Sequence, residues 1–175
     1  MSTLLKPAGL MKTLFFLTAF TILSIETFAQ VTGYKEFSIF QDLKKVKALN
    51  KYQIDSLGKD LNGKYVYTVN VPDTLTIFNM PVQAIYLKTD KLTSLNLVRV
   101  DTKAKPLSEF TAWEKQLPKY FSSIYGKAES SGSTEGTSYL WSLAEKNVFF
   151  VCYTRVSAED KNQLSYTFYW LPSIQ

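Results

Sequence analysis

The chain contains no histidine, and that absence alone removes a large part of enzyme chemistry. Hydrolases in which serine, cysteine or threonine depends on an imidazole base are excluded, as are zinc sites built on histidine ligands. Cysteine is almost as scarce. Cys152 stands alone, which rules out both a cysteine-rich metal site and an internal disulfide framework. It lies in Val148-Phe-Phe-Val-Cys-Tyr-Thr154 and reads as a buried, inert thiol. Neither a dinucleotide fingerprint, a Walker loop nor a calcium-loop pattern is present. No cofactor, metal ligand or catalytic residue is therefore assigned.

Long apolar runs are lacking as well. Thr13 to Ile25 is uncharged, but Glu26 ends it well short of the roughly 20 residues that cross a bilayer. With Lys6 and Lys12 before it and Thr27-Phe-Ala29 after it, the stretch has the charged, apolar and small-residue regions of a secretory signal peptide. Residues 1–29 are read as that signal, with translation starting at Met1 or at Met11 and cleavage before Gln30. No cysteine follows to carry a lipid. Residues 30–175 are then expected to form a single exported domain, periplasmic or extracellular, with no membrane span after cleavage. Its length is enough to bury a core without staples.

Lysine and arginine outnumber the acids 20 to 15, a modest basic excess. Lys44, Lys45, Lys47 and Lys51 make a local cluster that a solvated helix face explains, and an exported protein of this charge is not expected to bind nucleic acid. The carboxylates Asp90, Asp101, Glu109, Glu114 and Glu145 are the residues from which an acid–base pair would have to be drawn. Their spacing selects no two of them.

What the chain does have is aromatic and β-branched residues arranged by period. Phe37, Phe40, Leu43, Val46 and Leu49 recur at steps of three, which predicts a helix within Tyr34–Asn50. Lys64–Val71, Leu75–Phe78, Val82–Thr89 and Leu92–Val100 read as strands, the last two joined as an antiparallel hairpin across Asp90-Lys91. Ser108 and Glu109 announce a second helix with Phe110, Trp113, Leu117, Phe121 and Ile124 on one face and Gly126 at its end. Pro118 predicts a kink or a restart within it. Ala128–Thr137 is polar and small, and reads as an exposed connection. Tyr139–Leu143, Val148–Thr154 and Leu164–Trp170 complete the strands.

The expected fold class is α+β, an antiparallel sheet of short strands packed on one or two helices in the order α-β-β-β-β-α-β-β-β. A repeat of helix plus three or four strands is an architectural possibility. In this order the chain resembles compact periplasmic binding or inhibitor domains, including the β-lactamase-inhibitory-protein style of repeat. That resemblance is one of architecture and transfers neither a function nor a site residue.

Alternation gives the functional expectation. Val148–Thr154 is apolar on both sides, with Phe149, Val151 and Tyr153 on one face and Tyr169 on the corresponding face of the last strand. The Trp113 helix can cover one face of the sheet, and the Phe37–Leu49 helix is expected to cover the other. If it does not, an aromatic patch is left for a partner. Tyr139, Trp141, Phe149, Tyr153 and Tyr169 are the candidate surface, and an envelope protein or a glycan is the candidate partner. The function expected is a non-catalytic binding or protein-interaction module. The alternatives are a carboxylate-dependent hydrolase acting on envelope polymers and a structural subunit of an envelope assembly.

Overall fold

A computed structural model describes residues 32–90, 93–157 and 160–173, and over them the chain is mostly antiparallel sheet with two α-helices. The signal-peptide reading of residues 1–29 and the cut before Gln30 lie outside the described residues. In chain order the elements are β1 (Gly33–Tyr34), β2 (Phe37–Ser38), α1 (Leu43–Ala48), β3 (Ile54–Lys59), β4 (Tyr65–Val69), β5 (Thr76–Ile77), β6 (Met80–Asp90), β7 (Ser94–Thr102) and β8 (Lys105–Pro106). Then come α2 (Ala112–Tyr125), β9 (Glu129–Ser133), β10 (Gly136–Leu143), β11 (Val148–Val156) and β12 (Gln163–Pro172).

The main path across the sheet is β3-β4-β6-β7-β12-β11-β10-β9, with β5 against β6 and β8 against β12. Each half of the chain is thus a helix followed by a four-strand meander, β3-β4-β6-β7 and β9-β10-β11-β12. The halves meet where their last strands, β7 and β12, pair antiparallel from Val98↔Trp170 to Asp101↔Thr167.

Both helices lie on one face. Register aligns Trp141, Phe150, Trp170, Val98, Leu87 and Tyr67 in a single row across six strands, with Cys152, Phe168, Val100, Ile85 and Val69 in the next. All are buried. Over the second half, α2 presses Phe121 into this face, edge-on to Trp141 and Phe150 at 5.5 and 4.8 Å between ring centroids. Phe78, in the turn between β5 and β6, reaches across from the first half to Phe121 and Phe168 at 5.1 and 5.2 Å. Its φ of 49° is uncommon for a bulky residue, and the ring packing on both sides holds it there.

The first predicted helix is corrected. Only Leu43–Ala48 is helical, and a β1–β2 hairpin occupies the start of the segment. Positive φ at Lys35 and Phe40 interrupts any continuous helix, and Asp42 caps the short one by accepting from the Lys44 amide at 2.8 Å. The step-of-three pattern therefore mixed a buried hairpin residue, Phe37, with helix residues Leu43 and Val46, while Phe40 and Leu49 are exposed. Gly33 is required here, because a Cβ would fall 1.9 Å from the Phe37 carbonyl oxygen.

The helix does not cover the second sheet face either. Leu43 and Val46 join the same core as the rows above, and Lys47 lies over the Tyr67 ring. The hairpin and α1 shield the first half of the face that α2 shields over the second.

Two further expectations change. Thr111, rather than Ser108, caps α2, in a capping box with Glu114. The helix runs through Pro118 without restarting. The carbonyl four residues back, on Glu114, loses its helical donor to the proline ring and instead accepts the Tyr166 hydroxyl at 2.8 Å. Leu117 and Phe121 are buried, whereas Trp113 and Ile124 stand about two-fifths exposed. Finally, Glu129–Ser133 is a strand rather than a connection, so the second meander has four members; with β1, β2, β3 and β8, which were not expected either, the predicted order is five strands short.

Candidate functional site

Alternation places the other half of every strand on the opposite face, and among the described residues both helices and the β1–β2 hairpin are on the covered side. One row on this open face runs Leu140, Val151, Tyr169, Arg99, Tyr86 and Thr68. A second runs Ser138, Tyr153, Thr167 and Asp101, and Phe149 opposite Leu171 lies on the other side of the first. Nearly all are half-buried, as side chains standing on a pleat shield one another; Thr167, between Tyr153 and Asp101, is buried.

Arg99 organises the centre. Its Nε and Nη2 donate to the two Asp101 carboxylate oxygens, both at 2.8 Å. Its guanidinium lies 5.2 Å from the Tyr86 ring centre and 5.6 Å from that of Tyr169. Burial opposes the charged guanidinium, but the hydrogen bonds and charge of Asp101 outweigh it, and the Arg99 pKa moves up. Burial raises the Tyr169 phenol, so it stays protonated. Lys88 is likewise matched with Asp60 at 2.8 Å. The centre of the open face thus carries its charge in closed pairs, flanked by rings and aliphatic side chains, while Arg155, two residues along β11 from Tyr153, stands farther out without an ion partner among the described residues. It suits a neutral partner surface with apolar area and hydroxyl or amide groups.

The five sequence-predicted surface residues divide between the two faces. Phe149, Tyr153 and Tyr169 come together on the open face. Trp141 is corrected: it is fully buried on the covered face, stacked on Phe150, and its indole N–H donates to Ser122 Oγ at 3.3 Å. Tyr139 shares that face at its margin, half-buried beside α2. Sequence reasoning missed Tyr86 and Arg99, and named Asp101 only as an acid–base candidate. Their signal was present in the alternation of Arg99 with Val98 and Val100, but only the β7–β12 pairing sets Arg99 beside Tyr169.

The carboxylates named for acid–base chemistry are dispersed. Asp101 is held by Arg99, and Asp90 lies 3.6 Å from Lys64. Glu109 and Glu145 lie in the short 3-10 turns Leu107–Glu109 and Ala144–Lys146. Glu114 is buried, paired with Lys105, and accepts the Thr111 amide at 2.5 Å. Burial pushes the Glu114 carboxyl up, yet the hydrogen bonds from Lys105 and Thr111 and the lysine charge prevail and its pKa is lowered. Cys152 is buried and free, and desolvation drives its thiol well above the ordinary range. Among the described residues no group of three or more acid or cysteine side chains is placed to hold a metal ion, and no helix is long and apolar enough to cross a membrane.

No protein-family model, curated protein or solved structure matches the chain.

Proposed function

We propose that the chain is an exported, non-catalytic binding or protein-interaction domain that meets an envelope protein or glycan with the open face of its sheet. The supporting observation is the asymmetry of that sheet: both helices and the hairpin are spent on one face. The other keeps Phe149, Val151, Tyr153 and Tyr169 around the Tyr86–Arg99–Tyr169 stack. Aromatic rings on a rigid antiparallel sheet bind with little loss of side-chain freedom, and closed ion pairs between them set orientation without demanding a charged ligand. The hydrolase reading lacks comparable support, since Asp101 and Glu114 are each engaged by a cation and no two of the five named acids form an ion-sharing pair. Export rests on the signal pattern of residues 1–29.

A photo-crosslinking residue at Tyr153 or Tyr169 in the producing cells tests the contact surface. Discrete adducts are expected from these positions and not from exposed Lys45 on α1. Equal labelling from Lys45, or no adduct from the open face, would sink the proposal. Solution mass separates the structural-subunit reading: a stable oligomer that Tyr153→Ser and Tyr169→Ser dissolve would make the partner another copy of the chain. N-terminal sequencing of exported material is expected to begin at Gln30.

A further inference from the structure

We propose that a second surface, the cleft between α2 and the β9–β10 hairpin, receives an extended acidic peptide segment that adds to the free edge of β9. Lys115 and Lys119, one helical turn apart, line this cleft with Lys127, Ser130 and Tyr139. Elsewhere Lys51, Lys64, Lys88, Arg99, Lys103 and Lys105 each pair with a carboxylate. Among the described residues the three cleft lysines have no carboxylate within ion-pair reach. Glu114, next to Lys115 in sequence, is taken by Lys105, and Glu129, two residues from Lys127, pairs in register with Leu140 and so points to the open face, while Ser130, opposite Tyr139, points into the cleft. The cleft therefore collects positive charge that the fold does not neutralise.

Its floor borders an unguarded strand edge. β9 ends the sheet path, and all five of its residues are exposed. Ser130, Ser131, Gly132 and Ser133 offer neither the lysine, the proline nor the bulge with which natural edges usually repel another strand. The far edge of the sheet differs, since β3 is broken by a register shift between Ser56 and Gly58. A strand laid along β9 would take its backbone hydrogen bonds from the edge and turn every second side chain toward the lysines. Charge complementarity thus selects carboxylates at alternate positions, and the unpaired backbone selects a peptide over a polyanionic glycan. This inference is independent of the open-face reading.

The test uses the purified full chain and fluorescence anisotropy with a labelled peptide of about ten residues alternating valine and glutamate. Saturable binding is expected, together with a loss of about tenfold or more in the combined Lys115→Gln, Lys119→Gln, Lys127→Gln variant. Methylating alternate backbone amides of the peptide is expected to abolish binding to the unaltered protein, a readout that needs no variant to fold. Absence of binding, undiminished binding by the triple variant, or equally tight binding of the N-methylated peptide or of polygalacturonate would overturn the proposal. The last two results would leave a cationic patch without strand addition.

Discussion

On the covered face Trp141, Phe150, Trp170 and Val98 stand in one row under Phe121; one residue along the same strands, Leu140, Val151, Tyr169 and Arg99 stand in a row under no described element. The two rows share a backbone, a register and much of their chemistry. What separates them is where the short connections send the helices. Burial turns aromatic side chains into stability on one side, and the lack of it leaves similar side chains free to contact something else. Composition alone therefore could not assign a role to any one of them.

The comparison breaks most visibly at Phe121. Phe121→Ala would empty the meeting point of Trp141, Phe150, Phe168 and Phe78 and is expected to cost about 3–5 kcal/mol, read as a lower urea midpoint at unchanged slope. A cost under about 1 kcal/mol would show that the covered face is not the core.

Next in size is Glu114→Gln, expected to destabilise by about 2 kcal/mol through loss of charge-assisted hydrogen bonds from Lys105 and Thr111. Its pH signature has a definite sign. The folded state holds this carboxyl below its ordinary value, so the contribution is complete above the unfolded pKa of about 4.3 and is lost as the pH falls through the lower folded value. Glu36 and Asp60, lowered with Lys51 and Lys88 as partners, act in the same direction. Stability should fall on acidification below about pH 4, less steeply in Glu114→Gln; an identical slope in variant and parent would remove Glu114 from the account.

On the open face the effects should be smaller. Arg99→Ala leaves Asp101 without its two hydrogen bonds, yet both side chains keep contact with solvent, and a loss of about 1 kcal/mol is expected by urea denaturation. Tyr153→Ser should change stability by no more than about 0.5 kcal/mol while removing the crosslinked partner. A large destabilisation at Tyr153 would mean that this face, too, is core. Cys152 offers a check without mutation: a thiol reagent should label it only in denaturant, on the unfolding timescale.

Much of the sheet was legible because its strands alternate apolar residues between recognisable turns. Val82–Thr89 falls within β6 and the described part of the second predicted strand within β7, paired as the expected hairpin, and the last three strands differ from expectation only in their ends. The failures share one cause. The Tyr34–Asn50 period joined residues that reach the core from different elements, and Glu129–Ser133 is a strand because β10 pairs with it, its own serines and glycine giving no β signal. Trp141 looked like a surface candidate because its strand follows the polar Ala128–Thr137 segment, but only α2 decides which side of that strand is covered.

By itself the sequence determined what the chemistry cannot be, since no fold can supply an imidazole, a second thiol or a phosphate loop that the residues lack. It also determined the strand-rich architecture, because period-two alternation acts within a few residues of chain. Which face of the sheet is bare, where Arg99 meets Tyr86 and Tyr169, and why three lysines share a cleft without an acid were decided by tertiary structure. Those relations join residues from separate strands and helices, and distance along the chain carries no information about them until β7 pairs with β12 and α2 settles across the second half.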